Sequence, residues 1–311
     1  MNKQLQVLPL SYSIPEELIR DIYKDKLYDM APLIPGKADT YIYNTQESYY
    51  DMYNRSKYGL TYKKGGWDCL RHYEMLASGC IPLFKDLEKC PINTMKTFPK
   101  KKINEFTNKY SCLDKDENLD DDYVKDMSDY LTKYTKKYLT CRANALYFIG
   151  QLGLVKSITT IKILMLSGAS GHRNINYSRE LLSIGLRRIL GNRFIEYPKL
   201  NVLYKGCKNK YKYIGKGFTY GERLDDIKLD RSDIENRITS KEFDVIIYGK
   251  VGKKYLEIDP VENLSYWKEV NSVYDKNSIV FIYGGDKMRT VNDDDIKYHC
   301  TYGKCFIREL Q

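Results

Sequence analysis

Short apolar runs alternate with amphipathic segments along the chain, which is the pattern of strands that alternate with helices. In the second half, residues 161–166, 243–248 and 279–283 predict buried strands, and residues 178–190 and 265–274 predict helices. Strands that are apolar throughout and separated by helices favour a parallel sheet with helices on both faces. Ligands of such sheets bind beyond the carboxyl ends of the strands, so the glycine-containing loops after these strands are candidate binding loops.

The first half repeats this order over residues 58–84. Residues 58–62 predict a strand, residues 67–77 an amphipathic helix, and residues 80–84 a second, buried strand. Gly79 is expected to close the helix in the left-handed conformation. Together these elements predict a βαβ unit.

Residues 151–160 separate the two sets of elements and show only a weak pattern of apolar and polar positions, so we place a domain boundary within this stretch. The predicted domains are residues 1–155, which also contain a long helix over residues 119–139, and residues 156–311. The predicted fold class is α/β, with two Rossmann-like domains that face each other across a cleft.

The composition limits the classes of molecule that the protein could bind. The net charge of +10, from 51 basic and 41 acidic residues, is explained for the most part by a lysine-rich solvated surface. Nucleic acid, an acidic membrane surface or a phosphorylated substrate would also fit this charge. The chain has no apolar run of transmembrane length and no signal-peptide pattern, so we predict a cytoplasmic protein without a transmembrane segment. The eight cysteines form no CxxC pair and the three histidines lack ligand spacing, so we expect reduced thiols and no metal site.

The loop before the predicted helix has the composition of an anion-binding turn. It consists of Lys63, Lys64, Gly65 and Gly66. The glycines let a ligand approach the N–H groups at the helix start, and the lysines add positive charge. Arg71 can form two hydrogen bonds with a phosphate, and Glu74 on the same helix face can accept both hydroxyls of a ribose. On spacing alone, however, an ordinary i, i+3 ion pair between Arg71 and Glu74 is the favoured interpretation.

The sequence RHYEMLASGCIPLF, residues 71–84, resembles the Glu–(small residues)–Gly–x–Pro segment of GT-B glycosyltransferases. It is especially similar to the exostosin-like branch of the kind that large DNA viruses encode. In that branch an arginine precedes a glutamate by three residues and Gly-Cys-Ile-Pro follows, as Arg71, Glu74 and residues 79–82 do here. The resemblance is specific over about residues 41–100.

This resemblance implies that Glu74 holds the ribose of a nucleotide-diphosphate sugar, and that Arg71 and the Gly65–Gly66 turn hold the diphosphate. It implies transfer of the sugar to a hydroxyl of a glycan or glycoprotein acceptor, without a metal or other cofactor. The acidic runs at residues 120–122 and 293–295 are explained as charge at helix N-termini. Many retaining GT-B enzymes carry another glutamate in the loop before the helix, where this chain has lysines and glycines, so the stereochemical outcome stays open.

The second half resembles the partner domain of the same proteins. The similar segments are residues 186–191, 196–199, 215–220, 230–231 and 244–249. Ordinary GT-B chains have the acceptor-side domain first, so the order here is reversed. Residues 306–311 resemble a segment that would normally run into residues 7–14, and we therefore hypothesise a circular permutation with the donor domain first.

An inverting transferase also needs a base that removes the proton of the acceptor hydroxyl. The candidate catalytic residues are Asp286, which follows the strand at residues 279–283, and His172, which ends the loop after the strand at residues 161–166. Each has an equally strong structural explanation. Asp286 would serve as a helix cap, and His172 would be an exposed loop residue or an acceptor contact.

Two other classes of function compete with a transferase of this kind. The positive charge and the 30 tyrosines favour a nucleic-acid-binding protein, although most tyrosines lie at core periodicities and the basic residues are dispersed among acidic ones. The small-residue loop at residues 167–172 would also suit another Rossmann-like nucleotide-dependent transferase, such as a methyltransferase, but a single such loop is a weak signal.

Overall fold

The protein, in a computed structural model, has an α/β fold with two separate parallel β-sheets. The structure describes residues 6–23, 26–113, 119–168, 174–251 and 260–311. The strands of these residues are β1 (Val7–Pro9), β2 (Tyr28–Met30), β3 (Ser56–Tyr62), β4 (Ile81–Lys85), β5 (Ile163–Leu166), β6 (Phe194–Tyr197), β7 (Val245–Tyr248), β8 (Ile279–Tyr283) and β9 (Lys304–Ile307). Their α-helices are α1 (Gln46–Asn54), α2 (Leu70–Ala77), α3 (Lys100–Ser111), α4 (Asp121–Tyr134), α5 (Cys141–Gln151), α6 (Tyr177–Leu190), α7 (Ile234–Thr239), α8 (Trp267–Val273) and α9 (Asp294–Tyr302). Across the described ranges, we find no helix that combines the length and the apolarity needed to cross a membrane.

Strands β2, β3 and β4 form a three-stranded parallel sheet, and α2 connects β3 to β4. The βαβ unit predicted over residues 58–84 is therefore confirmed. The helix begins at Leu70, three residues later than predicted, and backbone N–H groups that precede it have partners outside the helix. Those of Trp67 and Asp68 donate to the Glu309 carboxylate, with N–O distances of 3.0 Å.

The helix predicted at residues 119–139 is also confirmed. It consists of α4 and a π-helical turn, Thr135–Leu139, and the Asp120 side chain caps its first turn. Gly79 has the predicted left-handed conformation, with φ 62°. The Ser128 hydroxyl in α4 donates to the Gly79 carbonyl at 2.7 Å, so α4 is fixed against the end of α2.

Six strands form the second parallel sheet, in the order β1-β9-β8-β7-β5-β6. The strands predicted at residues 161–166, 243–248 and 279–283 correspond to β5, β7 and β8, which are buried throughout. The chain runs from β5 outward to β6 and then returns to β7 on the other side of β5. The carboxyl ends of β5 and β7 therefore flank the switch point of the sheet, where α/β proteins bind ligands.

Both ends of the chain contribute to the six-stranded layer. Strand β1 lies beside β9, with Val7 opposite Cys305. Helix α5 packs closely on α6, where Gly185 faces the Cys141 carbonyl. Both β1 and α5 precede residue 156, so the predicted division into residues 1–155 and 156–311 does not follow the sheets at these two elements. The circular permutation stays a prediction. It requires the first and last strands to lie close together, and β1 and β9 are adjacent.

One segment of the second half, residues 200–224, crosses to the small sheet, and we call it the bridging segment. Its apolar side chains belong to the same core as those of α1, α2 and β4. This shared core includes Tyr50, Tyr73, Leu83, Leu200, Leu203, Phe218 and Tyr220. The Lys216 ammonium donates to the Tyr43 carbonyl at 3.0 Å and to the Asn44 side chain at 2.6 Å. The bridging segment therefore covers the face of α2 that carries the predicted site.

Candidate functional site

Glu74 is a buried carboxylate on α2, at the junction of the two halves of the molecule; the residue is 6% exposed. One of its oxygens accepts a hydrogen bond from the Tyr49 hydroxyl of α1 at 2.6 Å. The other accepts one from the Thr219 hydroxyl of the bridging segment. Burial raises the pKa of Glu74, while these hydroxyl groups and the Arg71 guanidinium act in the opposite direction. Both halves of the chain thus fix the position of this carboxylate.

Arg71 lies one turn before Glu74 on the same helix. Its Nε atom donates to the Thr61 hydroxyl of β3 at 3.2 Å, which points the guanidinium along the end of the small sheet. Its Nη2 atom is buried and has no hydrogen-bond partner in the described part of the chain. Arg71 and Glu74 form no salt bridge with each other there, so the ion pair that spacing alone favoured is not the arrangement found. This buried donor is therefore available to an acceptor on a ligand.

Arg71 and Glu74 border a cavity of about 290 Å³, which we call the Glu74 cavity. Nearly half of its lining residues are aromatic, and these come from both halves of the chain. They include Tyr41, Tyr43, Tyr49, Tyr177, Phe218 and Tyr220. Lys216 adds a second cation to the described wall, and its backbone is left-handed, with φ 53° between Gly215 and Gly217. Such a conformation is uncommon outside glycine.

The predicted anion-binding turn already holds an anion of the protein itself. Glu309 accepts the N–H groups of Trp67 and Asp68 just before α2, and a Cβ on Gly66 would lie 2.5 Å from its carboxylate. A Cβ on Gly65 would lie 2.6 Å from the Asp286 carboxylate. The two glycines therefore permit close approach, as predicted, but the groups that approach are carboxylates after β8 and β9.

Arg308 connects these carboxylates. It donates to Asp286 at 2.5 Å and to Glu309 at 2.7 Å, and the Arg308 and Glu309 side chains are fully buried. Asp68 lies beside the same group, where its carboxylate accepts the Tyr12 N–H at 2.7 Å. Burial raises the pKa of Asp68 to about 7, although the Arg308 charge lowers it. This ion network joins the end of the large sheet to the loop before α2.

A second and larger cavity, about 920 Å³, lies at the carboxyl ends of β5, β7 and β8, and we call it the strand-end cavity. Asp286 borders it, with a side chain that is 69% exposed. Tyr177, the first residue of α6, borders both cavities, so the two are adjacent. The other predicted catalytic residue, His172, lies outside the described residues.

The structure places the predicted binding residues in different parts of the molecule. Arg71 and Glu74 share one cavity. Lys63 borders a different cavity, of about 710 Å³, where its ammonium lies 5.3 Å from the centre of the Trp67 ring. Lys64 is exposed, and its N–H donates to the Gly66 carbonyl at 3.2 Å.

Sequence reasoning did not find Tyr49, Thr219, Arg308 or Glu309. The first two meet Glu74 from distant parts of the chain and have no local signal. Arg308 and Glu309 could have been found, because they directly follow the apolar strand β9. Charged residues at the end of a buried strand need partners, so their position signals an ion network.

Among the described residues, no cluster of histidine, cysteine, aspartate and glutamate has the geometry of a metal site. Comparisons of the chain with protein-family models, with curated proteins and with solved structures found no match.

Proposed function

We propose that the protein is a glycosyltransferase that binds the nucleotide of a nucleotide-diphosphate sugar in the Glu74 cavity. The observation that carries this proposal is that Arg71 and Glu74, on one helix face, can each form further hydrogen bonds. The buried Nη2 of Arg71 has no partner, and each oxygen of Glu74 accepts one hydrogen bond and keeps a second lone pair. A diphosphate next to a ribose supplies the acceptor and the two hydroxyl donors that these groups lack.

The walls of the cavity suit the rest of a nucleotide. Tyrosine and phenylalanine faces provide apolar surface for a base, and Lys216 adds positive charge near Arg71. In the proposed reaction these two cations offset the charge that develops on the departing nucleoside diphosphate, a role that a divalent ion has in other transferases. We propose that the two sheets belong to Rossmann-like domains arranged as in GT-B enzymes.

The acceptor would occupy the adjacent strand-end cavity. Its hydroxyl oxygen forms the new bond to the anomeric carbon as the bond from that carbon to the diphosphate breaks. The hydroxyl proton passes to a base, for which Asp286 is the candidate in the described residues. Arg308 holds one oxygen of Asp286, so the carboxylate is oriented at the border of the cavity.

Thermal stabilisation by a panel of nucleoside diphosphates tests the proposal. We expect at least one to raise the melting temperature, because a ligand at about 100 times its dissociation constant stabilises by about 2.7 kcal/mol. The shift should vanish in Glu74→Ala and persist in Glu47→Ala, which changes an exposed glutamate of α1. If no nucleoside diphosphate shifts the wild-type protein, the proposal fails. Salt-sensitive retention on DNA, in that case, would favour the nucleic-acid-binding alternative.

A further inference from the structure

We propose that the strand-end cavity binds the anionic group of a sugar-like ligand, a phosphate monoester or a carboxylate, through Lys250. Calling this ligand the acceptor rests on the proposed function. The anion site itself rests only on the cavity and its charges. The proposed anion site predicts that the cavity binds an acidic or phosphorylated sugar more tightly than a neutral one.

The position of the cavity is the first support. Strands β5 and β7 end at Leu166 and Tyr248, and both residues border the cavity. These are the two strands that flank the switch point, where the connections of an open parallel sheet leave in opposite directions and open a crevice. Lys250 comes two residues after β7 and borders the same crevice.

The charge of the lining is the second support. Lys250 is half-buried and forms no hydrogen bond or ion pair with any residue that the structure describes. Lys287, an exposed residue of the same lining, is also without an ion pair in the described ranges. Asp286 is the carboxylate of the described lining, and Arg308 already neutralises it. The lining therefore carries an excess of positive charge that a bound anion would balance.

The surroundings of Lys250 strengthen this argument. The aliphatic part of Arg179 lies against Gly249, where a Cβ would be 3.0 Å from it, so a second cation sits directly behind the strand end. Arg179 is paired with the buried Glu180. Burial and the nearby Arg179 charge lower the pKa of Lys250, and the Glu180 charge raises it. Because Arg179 already pairs with Glu180, an anion in the cavity would further stabilise the half-buried Lys250 ammonium.

The rest of the lining suits the ring of a sugar. Tyr12, Tyr177 and Tyr283 offer aromatic surface, and Asn263 and Ser265 offer polar groups. Aromatic faces with a few polar groups bind the apolar faces and hydroxyls of a small polar ligand. The lining therefore provides groups for a sugar ring as well as for an anion.

Isothermal titration calorimetry with glucose 6-phosphate, glucuronate and glucose tests the inference on the full chain. We expect one of the two anionic sugars to bind more tightly than glucose and to identify the anion as a phosphate or a carboxylate. Lys250→Gln should weaken that binding about tenfold or more, since a hydrogen bond to a charged group contributes about 1.5–3 kcal/mol. Lys268→Gln, an exposed lysine of α8 outside the cavity, removes the same charge and should leave the affinity unchanged.

Glucose binding as tightly as both anionic sugars, or equal affinities in Lys250→Gln and the wild type, would overturn the inference. The outcome is separable from that of the proposed function. If anionic sugars bind through Lys250 but no nucleoside diphosphate stabilises the protein, the anion site is supported and the proposed transferase function fails. Nucleoside diphosphate binding that depends on Lys250 and not on Glu74 would place the nucleotide in the strand-end cavity and overturn both.

Discussion

The Thr219 hydroxyl donates a hydrogen bond to the Glu74 carboxylate, although 145 residues separate the two positions. This contact crosses from the bridging segment to α2, so the conformation of the candidate site depends on both halves of the chain. It uses one lone pair of that carboxylate oxygen and leaves the second for a ligand hydroxyl.

Replacing Thr219 by valine keeps the shape of the side chain and removes this donor. We expect the free energy of unfolding to fall by about 1–3 kcal/mol, because a buried carboxylate loses one of its two hydroxyl donors. Urea denaturation measures the change. Thr239→Val is the control, since its hydroxyl donates to the Asn236 carbonyl at an exposed site, and it should change stability by less than about 0.5 kcal/mol. Equal effects of the two variants would show that Thr219 does not hold Glu74.

The buried pair of Arg308 and Glu309 gives a larger expected effect. Glu309→Gln removes the negative charge that faces a fully buried guanidinium and leaves one oxygen for two backbone N–H groups. We expect a loss of about 3–5 kcal/mol in the free energy of unfolding. The control is Glu47→Gln, which breaks an exposed ion pair with Arg20 and should cost no more than about 1 kcal/mol. A loss in Glu309→Gln as small as that of the control would contradict the ion network.

The raised pKa of Asp68 predicts a specific dependence of stability on pH. The folded-state pKa is about 7 and the reference value is 3.8, so the proton stabilises the folded state. This contribution is complete below the reference value and is lost as pH rises to about 7. Between pH 5 and pH 7.5, the free energy of unfolding of the wild type should therefore fall by about 2–3 kcal/mol relative to Asp68→Asn.

Urea denaturation of both proteins across this pH range measures the difference. Asp126→Asn, at an exposed position of α4, is the control for the loss of one carboxylate. A constant difference between wild type and Asp68→Asn over the whole range would mean that Asp68 is ionised in the folded state.

Strands β4, β5, β7 and β8 could be predicted because each is a buried apolar run beside a glycine-containing loop. The edge strands β1 and β2 could not be predicted in this way. Strand β2 is an edge strand in which Tyr28 and Met30 are 47% and 37% exposed, so it has no burial pattern. Strand β1 has three residues and acquires its partner, β9, from the other end of the chain. Pairing over such a distance leaves no local signal.

The candidate site shows the same limit. The spacing of Arg71 and Glu74 places them on one helix face, and both border one cavity. The glycine turn predicts the approach of a ligand anion to the helix start. Spacing does not tell whether that charge belongs to a ligand or to the protein, and here Glu309 supplies it.

The closest helix crossing in the six-stranded layer provides a last prediction, on Gly185 in α6. A Cβ at this position would lie 2.0 Å from the backbone carbonyl oxygen of Cys141, at the start of α5, and neither helix can move without disturbing the sheet beneath it. We expect Gly185→Ala to lower the free energy of unfolding by about 3 kcal/mol or more. Gly150→Ala is the matched control in α5, because its Cβ would meet only a Val155 methyl group at 3.9 Å. Alanine is the better helix former, so this variant should gain about 0.5–1 kcal/mol. Urea denaturation of the two variants, which make the same chemical change in adjacent helices, should give shifts of opposite sign, and a gain in both would contradict the close crossing.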